Sequence, residues 1–367
     1  MAFDRTDKLL AGDDGGVRRY AGAPVGCWVW HIDVCEEVRN NRTYVRTTIG
    51  AEIPAVNGSG EARRRSGDHQ SESAALVALL RAKPQGLAWS DVTTLIRQDG
   101  NVEALLDELD PIGLFATPSQ IANREHAVAD VAAWEAQGLQ FLTILDDRYP
   151  PPVREIHQAP PFLFARGQLL LHDPAVSVVG SRNASERGLT MARDIAASLT
   201  EMNLTVIAGL ALGIDAAAHR SALDAGGRTV AVIGTGINRQ YPAASRDLHH
   251  EIAERGLLLS QFWPDAPPQR HNFLMRNATM SGYGIATVVV EAGEYSGTRA
   301  QARMAVEHGR PVILMESVVR ATDWGKSLVG RPGVRVASSV SDVTSTISEV
   351  QSMTERIDRA LDNLVAV

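Results

Sequence analysis

Lysine is nearly absent. Of the 36 basic Lys and Arg side chains only Lys8, Lys83 and Lys326 are lysines, leaving 33 arginines against 43 acidic residues and a net charge of -7. That balance excludes a protein coated in positive potential, so any nucleic-acid site has to be a local arginine patch. Between residues 180 and 300 there are eleven arginines, no lysine and eleven acidic residues. Arginine suits such a patch, because its planar fork grips phosphate and stacks on bases. Cysteine is also scarce: Cys27 and Cys35 are eight apart, match neither a metal-ligand nor a thioredoxin spacing, and are expected to be reduced thiols. No apolar run is long enough for a bilayer and no secretory leader opens the chain, which predicts a cytoplasmic protein without a membrane partner. No metal cluster is legible. The dinucleotide fingerprint is missing too, since Gly180 to Gly188 has the wrong spacing and Gly234-Thr235-Gly236 lacks the third glycine. No cofactor is therefore expected.

The central stretch, 175–215, is AVSVVGSRNASERGLTMARDIAASLTEMNLTVIAGLALGID. The β-branched run Val176 to Val179 ends at Gly180, Ala192, Ile195, Ala196 and Leu199 recur at helical spacing, and Leu204 to Ala208 again stops at glycine. This is a strand, helix, strand crossover, and the class it predicts is α/β with a doubly wound, mostly parallel sheet. Ligands of such sheets bind at the carboxyl ends of the strands. The first turn carries Gly180, Ser181 and Arg182 before a helix start, a natural phosphate cradle with a guanidinium beside it. The second carries Gly209, Gly213 and Asp215. A third follows the strand Thr229 to Ile233, with Gly234, Gly236 and then Tyr241, which either stacks on a base or packs its loop. Gly180 and Gly209 also fit a purely conformational purpose, as tight strand exits.

After the strand Leu257 to Leu259 comes a long polar segment with Pro264, Pro267 and Pro268, followed by Arg270, Arg276 and Asn277. Arg276, like Arg182, is expected at a turn on the binding edge and in contact with phosphate. The strand Ala286 to Val290 leads to Glu291, a candidate for sugar hydroxyls or base edges and equally for capping a neighbouring loop. Ser296, Gly297 and Thr298 then make a second anion cradle. Around this core, 1–70 is unassigned: Cys27 to Val34 pairs with Arg42 to Ile49 across Asn40-Asn41, and Asn57 to His69 reads as a linker. Apolar stripes such as Ala75, Leu76, Leu79 and Leu80 predict a small helical domain over 71–137, before an α/β domain over 138–350. A last helix, Val350 to Leu364, presents Met353, Ile357, Leu361 and Leu364 on one face; no winged-helix pattern accompanies it.

GSRNAS at 180–185, AGLALGIDAAAH at 208–219, TVAVIGTGINRQYP at 229–242, FLMRNATMSG at 273–282 and VVVEAGEYSGTRAQARMAVEHGRPV at 288–312 resemble, in this order, the DNA-processing protein A family (DprA, or Smf). The likeness starts at LTILDDRYPPPVREIHQAPPFLFARGQL, 142–169. It implies an extended Rossmann-like domain preceded by a small domain like a sterile alpha motif or helix-hairpin-helix. It further implies binding of single-stranded DNA, the RecA recombinase as partner in natural transformation, a homodimer, and no established catalysis. Two departures stand out: the family's arginine-asparagine-arginine triplet is Arg276-Asn277-Ala278, and its Phe-Pro is Phe273-Leu274. The rival reading is a nucleotide-sensing or nucleotide-hydrolysing domain of the kind found in bacterial defence systems. Against hydrolysis, Gln301 occupies the position where phosphoribohydrolases of similar fold carry a glutamate, and an amide is no general acid or base.

Overall fold

The computed structural model describes residues 31–39, 42–50, 66–113 and 116–365. Residues 1–63 and 64–367 form two separate units. In the first, β1 (His31–Arg39) and β2 (Arg42–Gly50) pair antiparallel with Arg39 opposite Arg42, which is the expected hairpin. The proposed start of its first strand, 27–30 and thus Cys27, lies outside the described residues, as do 57–65 of the predicted linker.

The second unit opens with four helices: α1 (Ser66–Ala82), α2 (Trp89–Asp99), α3 (Val102–Leu109) and α4 (Pro118–Ala136). Ser66 to His69, expected in the linker, are helical. The unbroken buried run 73–80 nucleates α1, and adding a turn upstream costs little once a helix exists. Their ends follow local chemistry. Gly100 closes α2 in the left-handed conformation, the Asn101 side chain accepts from the Ala104 N–H to start α3, and Thr117 with Gln120 forms a capping box for α4.

The chain then passes through β3 (Gln140–Thr143), the short α5 (Pro151–Arg154), β4 (Phe162–Gly167), β5 (Ala175–Gly180), α6 (Glu186–Glu201), β6 (Thr205–Ala208), α7 (Ile214–Asp224), β7 (Thr229–Val232), α8 (Arg246–Arg255) and β8 (Leu257–Ser260). It continues with α9 (Arg270–Tyr283), β9 (Ala286–Glu291), α10 (Gly297–Glu307), β10 (Val312–Met315), α11 (Glu316–Ala321), α12 (Asp323–Leu328), β11 (Val334–Ala337) and α13 (Val340–Val365). One nine-stranded sheet results, ordered β11-β10-β9-β5-β6-β7-β8-β4-β3. All pairs are parallel except β8 with β4 and β4 with β3. Six of the seven parallel strands are buried on both faces almost throughout, as continuous apolar runs demand, and the edge strand β11 exposes Arg335 and Val336. The winding reverses at β5, which lies between β6 and β9, so the crevice for a ligand opens at the carboxyl ends of β5, β6 and β9.

Two readings are corrected. Arg270, Arg276 and Asn277 lie on the helix α9 and not on a turn. Its buried residues mix polar Asn272, Arg276, Asn277, Thr279 and Ser281 with Ala278, Met280 and Tyr283, so no apolar period marks it. The final helix begins at Val340, and its inward positions are Val343 and Ile347, whereas Met353 and Ile357 are 59% and 51% exposed. Among the described residues no helix is long and apolar enough to cross a membrane.

Candidate nucleic-acid interface

The glycines at the sheet edge are set by close approaches. A Cβ on Gly180 would meet Ile214 Cγ1 at 2.6 Å, and one on Gly209 would meet Arg276 Nη1 at 2.1 Å. Gly213 combines φ +76° with carbonyl oxygens of Ser181 and Arg182 in the space of a side chain. The turns after β5 and β6 thus interlock, and the Ile214 N–H donates to Ser181 O at 3.2 Å. Leu210 is held at φ +58°, strain of a kind that clusters at ligand sites.

Both predicted anion positions near the first two turns are taken by the chain's own carboxylates. Glu291 accepts from the Ser185 N–H at 2.9 Å and from the Ser185 hydroxyl, while Ser185 Oγ caps α6 by accepting from the Gly188 N–H. Gly188 is what admits that carboxylate, because a Cβ there would sit 2.4 Å from Glu291 Oε2. Of the two purposes open to Glu291, capping is the one the geometry displays. Asp215, which is buried, accepts from the Gly209 and Ala211 N–H groups at 3.0 and 3.4 Å. Burial pushes its pKa up, against the pull of Arg276, these N–H groups and Arg182.

Arg276 is not a surface cation. It is 5% exposed, and it donates from Nη1 to Gly209 O at 2.8 Å and Val232 O at 2.6 Å and from Nε to Asn277 Oδ1 at 3.1 Å. Burial lowers its pKa to about 10, with Asp215 opposing and Arg182 adding to the shift, so it stays charged at neutral pH. A direct phosphate grip by an exposed Arg276 therefore gives way to a buried charge beneath the site, with Asn277 as its hydrogen-bond partner.

The surface above is built on Phe273, the retained half of the altered Phe-Pro pair and not among the expected site residues. Its ring packs on Gly234, where a Cβ would lie 2.5 Å from Cδ1. Around its centroid stand Arg182 Cζ at 5.7 Å, Arg276 Cζ at 6.0 Å and the Tyr241 ring at 5.8 Å. Arg182 is exposed and Tyr241 is 41% exposed. Among the described residues the backbone N–H groups of Arg182, Gly234 and Thr235 have no acceptor. The signal for Phe273 was its place three residues before Arg276, on the same helix face.

The other predicted residues divide. At the second cradle, Ser296 accepts from the Thr298 N–H to cap α10, and Thr298 Oγ1 donates to Gly180 O at 3.3 Å, so this helix start lies beside the first turn. Ser181 is engaged within its own turn, its Oγ accepting from the Asn183 N–H, and Gly297 opens α10. Gly236 stands apart: its N–H donates to Ala266 O at 2.9 Å, and its missing Cβ makes room for the Trp263 and Pro264 carbonyls. Arg270 is exposed at the start of α9. Gln301 is buried, and among the described residues neither side-chain polar atom has a partner. No group of three or more metal-ligating side chains occurs among the described residues.

A sequence profile described as DNA recombination-mediator protein A matches residues 140–348. DNA processing protein DprA of Streptococcus pneumoniae is 34% identical over 270 residues, 72% of this chain and 95% of that protein. An X-ray structure of that species' DNA processing protein A aligns with TM-score 0.55 at 29% identity, covering 76% of this chain and 95% of the other. A structure from Helicobacter pylori, described for the single-stranded DNA binding mode of its DNA processing protein A, shares the fold at TM-score 0.52 and 22% identity, over 57% of this chain and 96% of the other.

Proposed function

From its membership of the DNA recombination-mediator protein A family, to which this chain belongs, we propose that it binds single-stranded DNA on the Phe273 surface. One observation carries the reading: an aromatic ring with two guanidinium groups beside it, over a glycine turn with unused N–H groups. Bases stack on Phe273 and Tyr241. Phosphates meet Arg182, Arg270 and the Gly234 turn, with the second cradle at Ser296 to Thr298 beside Gly180. The buried Arg276 adds positive field from below and orders α9 against the turns after β6 and β7.

Such a surface contacts a strand, and Gln301 stands where hydrolysis would use a carboxylate. The same reading places the protein in the cytoplasm, as a homodimer that presents a strand to a RecA-type recombinase. Fluorescence anisotropy with oligo-dT and with mononucleotides, at two salt concentrations, tests it. Oligo-dT should bind with a clear inverse salt dependence and mononucleotides far more weakly. Equal affinity for dTMP and a long oligo-dT would replace the strand by a single nucleotide as the ligand.

A further inference from the structure

A second concave surface lies at the join of the four-helix segment and the β8–α9 connection. It is a groove of about 570 Å³, within the range of small-ligand sites. Trp89 from α2, Trp134 from α4 and Trp263 from the connection line it, three tryptophans from distant parts of the chain. Trp263 is the hub, stacked on Phe162 at 4.8 Å and Trp134 at 6.0 Å and met edge-on by Trp89 at 6.0 Å. The guanidinium of Arg81 lies 5.7 Å from the Trp263 ring centre and pairs with Asp130 at 2.6 Å.

These rings do more than fill space. Among the described residues none of the three indole N–H groups and neither polar atom of the Asn272 side chain, which lines the groove, has a protein partner, and none of these atoms is sealed from solvent, so they stay available to a ligand. Unpaired donors around stacked aromatic walls suit a flat heterocycle with carbonyl oxygens at its edge. The carboxylates of Asp130 and Asp265 on the wall oppose a phosphate inside.

We propose that this groove holds an unstacked nucleobase of the same strand whose neighbouring nucleotides lie on Phe273. Continuity selects this occupant, because Asn272 and Phe273 are consecutive on α9 and link the groove to the proposed interface. The base lies against the aromatic wall, its carbonyls take the indole and amide donors, and its phosphate stays at the rim. The inference rests on the single-strand reading.

The test is an abasic scan. Oligo-dT carrying one abasic site at successive positions is titrated against the full protein and its Asn272→Ala and Phe273→Ala variants, with tryptophan emission recorded. Two separate positions should each cost wild type about tenfold or more in affinity, the scale of one lost base stack. The penalty at one should persist in Phe273→Ala and shrink in Asn272→Ala, and only an oligonucleotide with a base at that position should quench tryptophan emission. The groove proposal is overturned if a single sensitive position exists and belongs to Phe273, or if Asn272→Ala leaves the whole scan unchanged. The groove is then left to a protein partner. If intact oligo-dT fails to bind wild type at all, the single-strand reading itself falls and takes the groove with it.

Discussion

The Arg276 guanidinium lies flat against Gly209, so close that a methyl group there would be 2.1 Å from Nη1 and 2.5 Å from Cζ. A helix residue and a turn residue 67 positions apart are thereby one construction, closed by the hydrogen bond from Nη1 to Gly209 O. Gly209→Ala forces the guanidinium off two carbonyl acceptors inside the protein. Overpacking and the lost charge-assisted bonds should together cost about 2 to 3 kcal/mol, measured by urea unfolding. A variant as stable as wild type would show that Arg276 leaves its site freely.

Glu291 separates capping from ligand contact. Glu291→Ala removes the acceptor of the Ser185 N–H and the negative charge at the start of α6, a loss of about 1 kcal/mol in thermal or chemical unfolding. It also removes a charge that repels phosphate, so the folded variant should bind oligo-dT at least as tightly as wild type. Binding abolished in a folded Glu291→Ala protein would restore Glu291 to the ligand contacts.

Arg182 and Phe273 should fail in different ways. Arg182→Ala deletes an exposed cation, so the plot of log affinity against log salt should flatten by about one counterion. Phe273→Ala deletes a stacking surface and should weaken binding by about 1 to 3 kcal/mol at every salt concentration, with the slope retained. Identical slopes in wild type and Arg182→Ala would remove Arg182 from the phosphate path.

Much of the sheet was legible because each parallel strand is a short apolar run ended by a polar or glycine turn, and β5 to β7 occur as expected within a residue or so. The turns that meet at the crevice followed from strand direction alone. Three things did not follow. The helix α9 hides its period because it buries Arg276, Thr279 and Ser281, whose partners come from elsewhere in the chain. The occupied helix start at Ser185 and the occupied turn at Gly209 depend on carboxylates whose direction no local pattern encodes. The tryptophan groove joins residues 89, 134 and 263, a contact that exists only after the helical segment packs on the sheet.

Acid should weaken the fold earlier than its carboxylates alone would. His219 and His249 are buried, and burial lowers their pKa values to about 3 and about 4, helped by Arg276 near the first and by His250 and Arg166 near the second. In the unfolded chain both titrate near 6.5, so from there down to about pH 4 the unfolded state holds protons that the folded state refuses. The stabilisation is complete above pH 6.5 and is lost as pH falls toward the folded values. Each histidine adds a slope of about 1.4 kcal/mol per pH unit inside that window. Unfolding free energy measured from pH 8 to pH 5 should therefore be flat at first and then fall, and His249→Phe should make the fall shallower by about one proton. Equal slopes for wild type and variant would mean that His249 takes up its proton in the folded protein as readily as in the unfolded one.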